Sequence, residues 1–136
     1  MSKKLTRLFA TAAIGASGLT AVAALPAVTA GAATGPVNIT KKCSGTSIVN
    51  LQLQREDTGK ISVDFGVDMA KHKAGVTWKV VESDNGTVFV NGTTKTIGDG
   101  SFSLTRLLAP APGLNTVAGK ATNSLTGETC TISAGI

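Results

Sequence analysis

Tyrosine is missing from this 136-residue chain, histidine and tryptophan occur once each, cysteine twice, and aromatic residues make up only 4% of it. Each shortage weakens a class of function. The one histidine, His72, cannot act as both base and ligand, which argues against histidine-paired catalysis. Two cysteines fall short of the four ligands a structural zinc site needs. Few rings also leave little surface for stacking sugars or bases.

What is present divides the chain in two. Lys3, Lys4 and Arg7 form a short cationic start, Leu8 to Leu25 is Ala-rich and apolar, and small residues follow at Val28-Thr29-Ala30 and Ala30-Gly31-Ala32. That order is the pattern of an export signal, with compact side chains three and one residues before the cut. We read residues 1–32 as a signal peptide cleaved after Ala32, with Ala30 as the alternative site, and residues 33–136 as one domain. An uncleaved anchor competes, because the apolar stretch approaches the ~20 residues that span a bilayer. Its Ala, Gly, Ser and Thr content and the break at Pro26 favour cleavage. Losing Lys3, Lys4 and Arg7 leaves ten cationic against eight acidic residues, a net charge of +2 in place of +5. So small an excess argues against a nucleic-acid-binding domain. Cys43 and Cys130 both follow the leader, and export carries them where a bridge persists. One structural disulfide, Cys43–Cys130, is predicted, since the pair lacks the Cys-x-x-Cys spacing of a redox site.

Beyond the leader, apolar and polar residues alternate with the period of half-buried strands. Val49, Leu51 and Leu53 share one face of 47–54. Ile61, Val63, Phe65, Val67 and Met69 share one face of 60–69, and Val76, Trp78 and Val80 one face of 76–81. Further strands are expected at 37–40, 87–91, 95–97, 101–108, 116–123 and 129–134. Turn chemistry separates them at Asp57-Thr-Gly59, Ala74-Gly75, Asp84-Asn-Gly86, Asn91-Gly92, Gly98-Asp-Gly100 and Thr126-Gly127. Pro110 and Pro112 call for an ordered loop crossing between sheets. The expected fold is all-β, a two-sheet antiparallel sandwich of about seven to nine strands with one disulfide, preceded by a signal-peptide helix.

The search for chemistry finds little that converges. No serine stands in a Gly-x-Ser-x-Gly elbow. Asp64 and Asp68 share a strand face but lie ~13 Å apart by strand rise, too far to act on one bond. Asp99, between two glycines, suits a turn, and no Asp-x-Asp-x-Asp calcium loop exists. Lys71, His72 and Lys73 form a cationic loop between strands and are the candidate binding residues. Lys41, Lys42, Lys79 and Lys95 read as scattered solubilising charges.

The Ala-rich leader, Cys43-Ser-Gly45, the Gly-Val-Thr-Trp-Lys-Val-Val stretch at 75–81 and the Ala-Thr-Asn-Ser-Leu-Thr-Gly-Glu-Thr-Cys close at 121–130 resemble small exported proteins of actinobacteria of the streptomycete type. The resemblance implies an immunoglobulin-like sandwich outside the cell and names no activity. The missing tyrosine separates the chain from antibody-like domains, which place one at a sheet corner. The functional expectation is a secreted, non-enzymatic binding or interaction module. Its partner would be an extracellular protein or a cell-envelope component. The expectation includes no cofactor, no nucleic acid, no stable membrane insertion after cleavage, and a monomer. Two alternatives stand beside it: a small-molecule carrier with a cleft lined by Trp78 and phenylalanines, and a structural protein that assembles through its edge strands.

Overall fold

The computed structural model describes residues 34–136, so the expected signal peptide, its expected helix and the expected cleavage after Ala32 lie outside the described residues. Eight strands follow one another: β1 (Val37–Lys42), β2 (Ile48–Arg55), β3 (Ile61–Asp68), β4 (Thr77–Asp84), β5 (Thr87–Lys95), β6 (Ser101–Leu108), β7 (Thr116–Asn123) and β8 (Thr129–Gly135). They form two antiparallel four-stranded sheets, ordered β1-β2-β3-β6 and β5-β4-β7-β8.

The period-two pattern determines which faces meet. Val49, Leu51 and Leu53 of β2 and Ile61, Val63, Phe65 and Val67 of β3 lie against Trp78 and Val80 of β4, Val117 and Ala121 of β7, and Ile132 of β8. Burying these side chains drives the two sheets together. Trp78 is fully buried, with its ring 6.0 Å from that of Phe102. Gly119 of β7 makes room for Phe65 on the opposing sheet, because a Cβ there would overlap the phenyl ring.

From β2 onward the chain runs as a hairpin, crosses to the second sheet for a second hairpin, and returns as β6 beside β3. It then crosses again to β7 beside β4 and closes with β8. This Greek key, with a buried tryptophan on the third strand of the key, defines an immunoglobulin-like sandwich; β1 is an extra strand outside β2. Cys43 and Cys130 are bonded, joining the end of β1 to β8 across 87 residues of sequence. A loop of that length contributes on the order of 4 kcal/mol by chain entropy.

Several local expectations need correction. Asn91-Gly92 is not a turn: 87–91 and part of 95–97 belong to one strand, in which Asn91 pairs with Val81 and Gly92 with Val80. β5 is an edge strand, so glycine is tolerated there, and the irregularity falls instead at a bulge opposite Glu82 and Ser83. Met69 lies just past the end of β3 and is half-buried. The Asn85-Gly86 turn does form, with both residues at positive φ as a tight two-residue hairpin requires. The proline loop crosses between sheets as expected, fastened by a buried residue that the sequence does not advertise. Asn115 Oδ1 accepts from Ala111 N at 3.0 Å, and Nδ2 donates to the Ala111 and Gly113 carbonyls at 3.1 Å each.

Candidate functional site

Strand direction sorts the loops into two crowns. The 43–47, 69–76, 96–100 and 124–128 segments gather at the disulfide end, while the 56–60, 85–86 and 109–115 segments lie at the other. The disulfide end carries a cleft of about 470 Å³, bordered by Ser44 to Ser47, Met69 to Lys71, and Asn123 with Thr126 to Glu128.

The walls of this cleft are built by short polar contacts. Glu128 receives Ser47 N at 2.8 Å and Ser47 Oγ at 2.9 Å, so one carboxylate holds the 43–47 loop from 81 residues away. Gly45 makes room for it, since a Cβ there would lie 2.6 Å from Glu128 Oε1. Ser44 N donates to Thr129 O at 2.8 Å, and Thr129 N donates to Ser44 Oγ at 2.9 Å, beside the bridged Cys130. The far wall is an Asx turn in which Asn123 Oδ1 accepts from Leu125 N and Thr126 N at 2.9 and 3.1 Å. Those contacts fix the amide's orientation and leave Asn123 Nδ2 buried with no acceptor. A buried donor without a partner costs about 1–3 kcal/mol. Here it belongs to a residue that lines the cleft.

Lys71, His72 and Lys73 are exposed in the β3–β4 loop of the same crown. Their loop is pinned to the β5–β6 turn. Its backbone lies against Gly100, where a Cβ would meet His72 Cα and Lys73 N at 2.9 Å, and the buried Thr96 donates its hydroxyl to Lys73 O at 2.6 Å. His72 Nδ1 donates to Asp99 O at 2.6 Å. Asp99 itself accepts from Ser101 N and Oγ, and those bonds hold its carboxyl below the usual carboxylate range. The turn assignment for Asp99 therefore stands. The three candidate residues do not converge on one site: Lys71 borders the large cleft, His72 a smaller hollow with Thr46, Asp68 and Ala70, and Lys73 a third with Val76 and Leu125.

Two inward-facing carboxylates escaped the sequence reading, which ended the alternation of β4 at Val81 and placed Asp84 in a turn. Carried two steps further, the same period puts Glu82 and Asp84 on the buried face, 1% and 9% exposed. Neither oxygen of Glu82 has a hydrogen-bond partner. Burial pushes its carboxyl up to about 7, opposed by the charge of Arg106 and reinforced by that of Asp64. Burial likewise raises Asp84. Among the described residues, no group of three or more His, Cys, Asp or Glu side chains is placed to hold a metal.

In comparisons with known proteins, the chain matches no family model, no curated protein and no solved structure.

Proposed function

We propose that this protein is a secreted, non-enzymatic binding module of the extracellular space or cell envelope, and that it engages its partner through the cleft at the disulfide end. The observation that carries the reading is the cleft at the disulfide end, bordered by the polar residues Ser44, Thr46, Ser47, Asn123, Thr126 and Glu128. Such a border favours a partner that offers hydrogen-bonding groups of its own. Rigidity supports the same reading. The cleft walls are tied by Cys43–Cys130, by Glu128 to Ser47 and by the Asn123 turn, so little conformational entropy is lost on docking.

A small-molecule carrier is the second reading, favoured by the cleft volume of about 470 Å³, which falls in the range of ligand pockets. The loops would then hold the ligand, because Trp78 and Phe65 fill the space between the sheets. Site-specific photocrosslinking separates these readings. Photoreactive residues replacing Ala70 or Thr126 at the cleft, or Thr58 at the opposite end, are irradiated with culture medium and envelope fractions of the producing cell. A discrete macromolecular adduct from the cleft positions alone supports the binding module. A small adduct of defined mass from the same positions transfers support to the carrier, and equal labelling from Thr58 removes the cleft from consideration.

A further inference from the structure

The outer face of the β5-β4-β7-β8 sheet carries a line of positive charge that no single sequence segment reveals. Thr77 pairs with Lys95 and Lys79 with Thr93 between β4 and β5, while Lys79 pairs with Thr122 and Val81 with Lys120 between β4 and β7. Lys95, Lys79 and Lys120 are therefore diagonal neighbours on three successive strands, each about 7–8 Å from the next. All three are exposed. Past Lys120 the line runs into a shallow cleft of about 530 Å³ with hydroxyls from Ser83, Thr131 and Ser133 and a fourth ammonium, Lys41, at its margin. Lys41 reaches that margin from β1, which lies along the β8 side of the sandwich.

No acidic residue shares this face. Glu56 and Asp57 lie at the β2–β3 hairpin, Asp64 and Asp68 are on the outer face of the other sheet, and Glu82 and Asp84 point inward. Asp99 and Glu128 are bonded to Ser101 and Ser47 in the loops. A net charge that averages to a small excess over the whole domain is thus concentrated on one side. Among the described residues, aromatic rings are also absent from this face, because Phe65, Trp78 and Phe102 are core residues and Phe89 packs against the core. What separates the lysines is hydroxyl and amide chemistry from Thr93, Thr122, Thr131, Ser133 and Asn91.

We infer that this face is a binding track for a linear anionic polysaccharide. Regularly spaced ammonium groups match charges repeated along a chain. The intervening hydroxyls and amides hydrogen-bond sugar hydroxyls, and without a stacking platform the track is poorly suited to single-stranded nucleic acid. The surface is distinct from the cleft at the disulfide end, so it stands whether or not that cleft binds a partner.

Heparin, a sulfated glycan, is the probe, titrated calorimetrically into the purified protein at 50 and 150 mM salt. The expected result is salt-sensitive binding that weakens by about tenfold or more in the variant combining Lys79→Gln, Lys95→Gln and Lys120→Gln. A charge-matched control with Lys42→Gln, Arg55→Gln and Lys60→Gln, all away from the face, is expected to lose no more than about threefold. Amide shifts of the unmutated protein with heparin should concentrate at Ser83, Ala118, Thr131 and Ser133, a readout that does not depend on any variant folding. Equal loss in the two triple variants, dispersed shifts, or no binding at all overturns the proposal. Tighter binding of an oligothymidylate of equal charge than of heparin overturns it in favour of nucleic acid.

Discussion

Trp78 and Asn123 face each other across the β4–β7 ladder, and each keeps a buried donor nitrogen without an acceptor. Trp78 is the largest core side chain, whereas Asn123 organises the 124–127 turn and borders the cleft at the disulfide end. Trp78→Ala is expected to cost about 3–5 kcal/mol through lost packing. Trp78→Phe should cost less than half of that, because it retains a ring against Phe102 and removes the unpaired indole donor. Urea denaturation of the two variants checks the ratio.

Gly45 and Glu128 should be energetically coupled. Gly45→Ala places a methyl in the space of Glu128 Oε1 and is expected to destabilise by about 1–3 kcal/mol as the carboxylate leaves Ser47. In a Glu128→Ala background the same change should cost under about 0.5 kcal/mol. A double-mutant cycle measures the difference, and additivity would mean that the carboxylate does not hold the loop.

Gly119→Ala drives a Cβ into the Phe65 ring and should destabilise the sandwich by about 1–3 kcal/mol. Phe65→Leu is itself destabilising, yet added to Gly119→Ala it should recover part of that loss. Thermal melting of the single and double variants tests this, and no recovery would place the strain elsewhere.

Glu82 predicts a stability that falls as pH rises. Its carboxyl is raised from 4.5 to about 7 in the folded protein, so the folded state binds the proton more tightly than the unfolded chain does. The resulting stabilisation is complete below about pH 4.5 and is lost as pH climbs through about 7. With the charge of Arg106 opposing the shift, the loss is on the order of 2 kcal/mol. Glu82→Gln should abolish this slope and make the protein more stable at pH 8 than the parent. Denaturant midpoints at pH 5 and pH 8 decide it, and parallel profiles would show that Glu82 is not the group responsible.

Much of the sandwich was legible because one physical signal recurs through it. Alternation read from Val49, Ile61 and Trp78 identifies the facing surfaces, and β6 and β7 run over the residues that pattern predicts. Asn-Gly chemistry misled at 91–92 because the dipeptide permits a turn but does not compel one, and an edge strand accepts the same residues. The disulfide could be read from the cysteine count, whereas Glu128 and Asn115 could not. Their partners are set by loops brought together in space, and neither residue type announces a buried bracing role. Lys95, Lys79 and Lys120 were illegible for a related reason. They are 16 and 41 residues apart in sequence, and only the strand register places them in line.

The Cys43–Cys130 bridge also determines how the domain would respond to being pulled. Tension applied between Val37 and Gly135 reaches the bridge once β1 and the part of β8 beyond Cys130 have peeled away, and it then passes through the sulfur–sulfur bond in place of the enclosed chain. The enclosed chain, which spans a sequence separation of 87 and would reach about 300 Å if drawn out, is then bypassed by the load. Oxidised, the module yields only the length of its two outer strands; reduced, the same chain becomes a long tether.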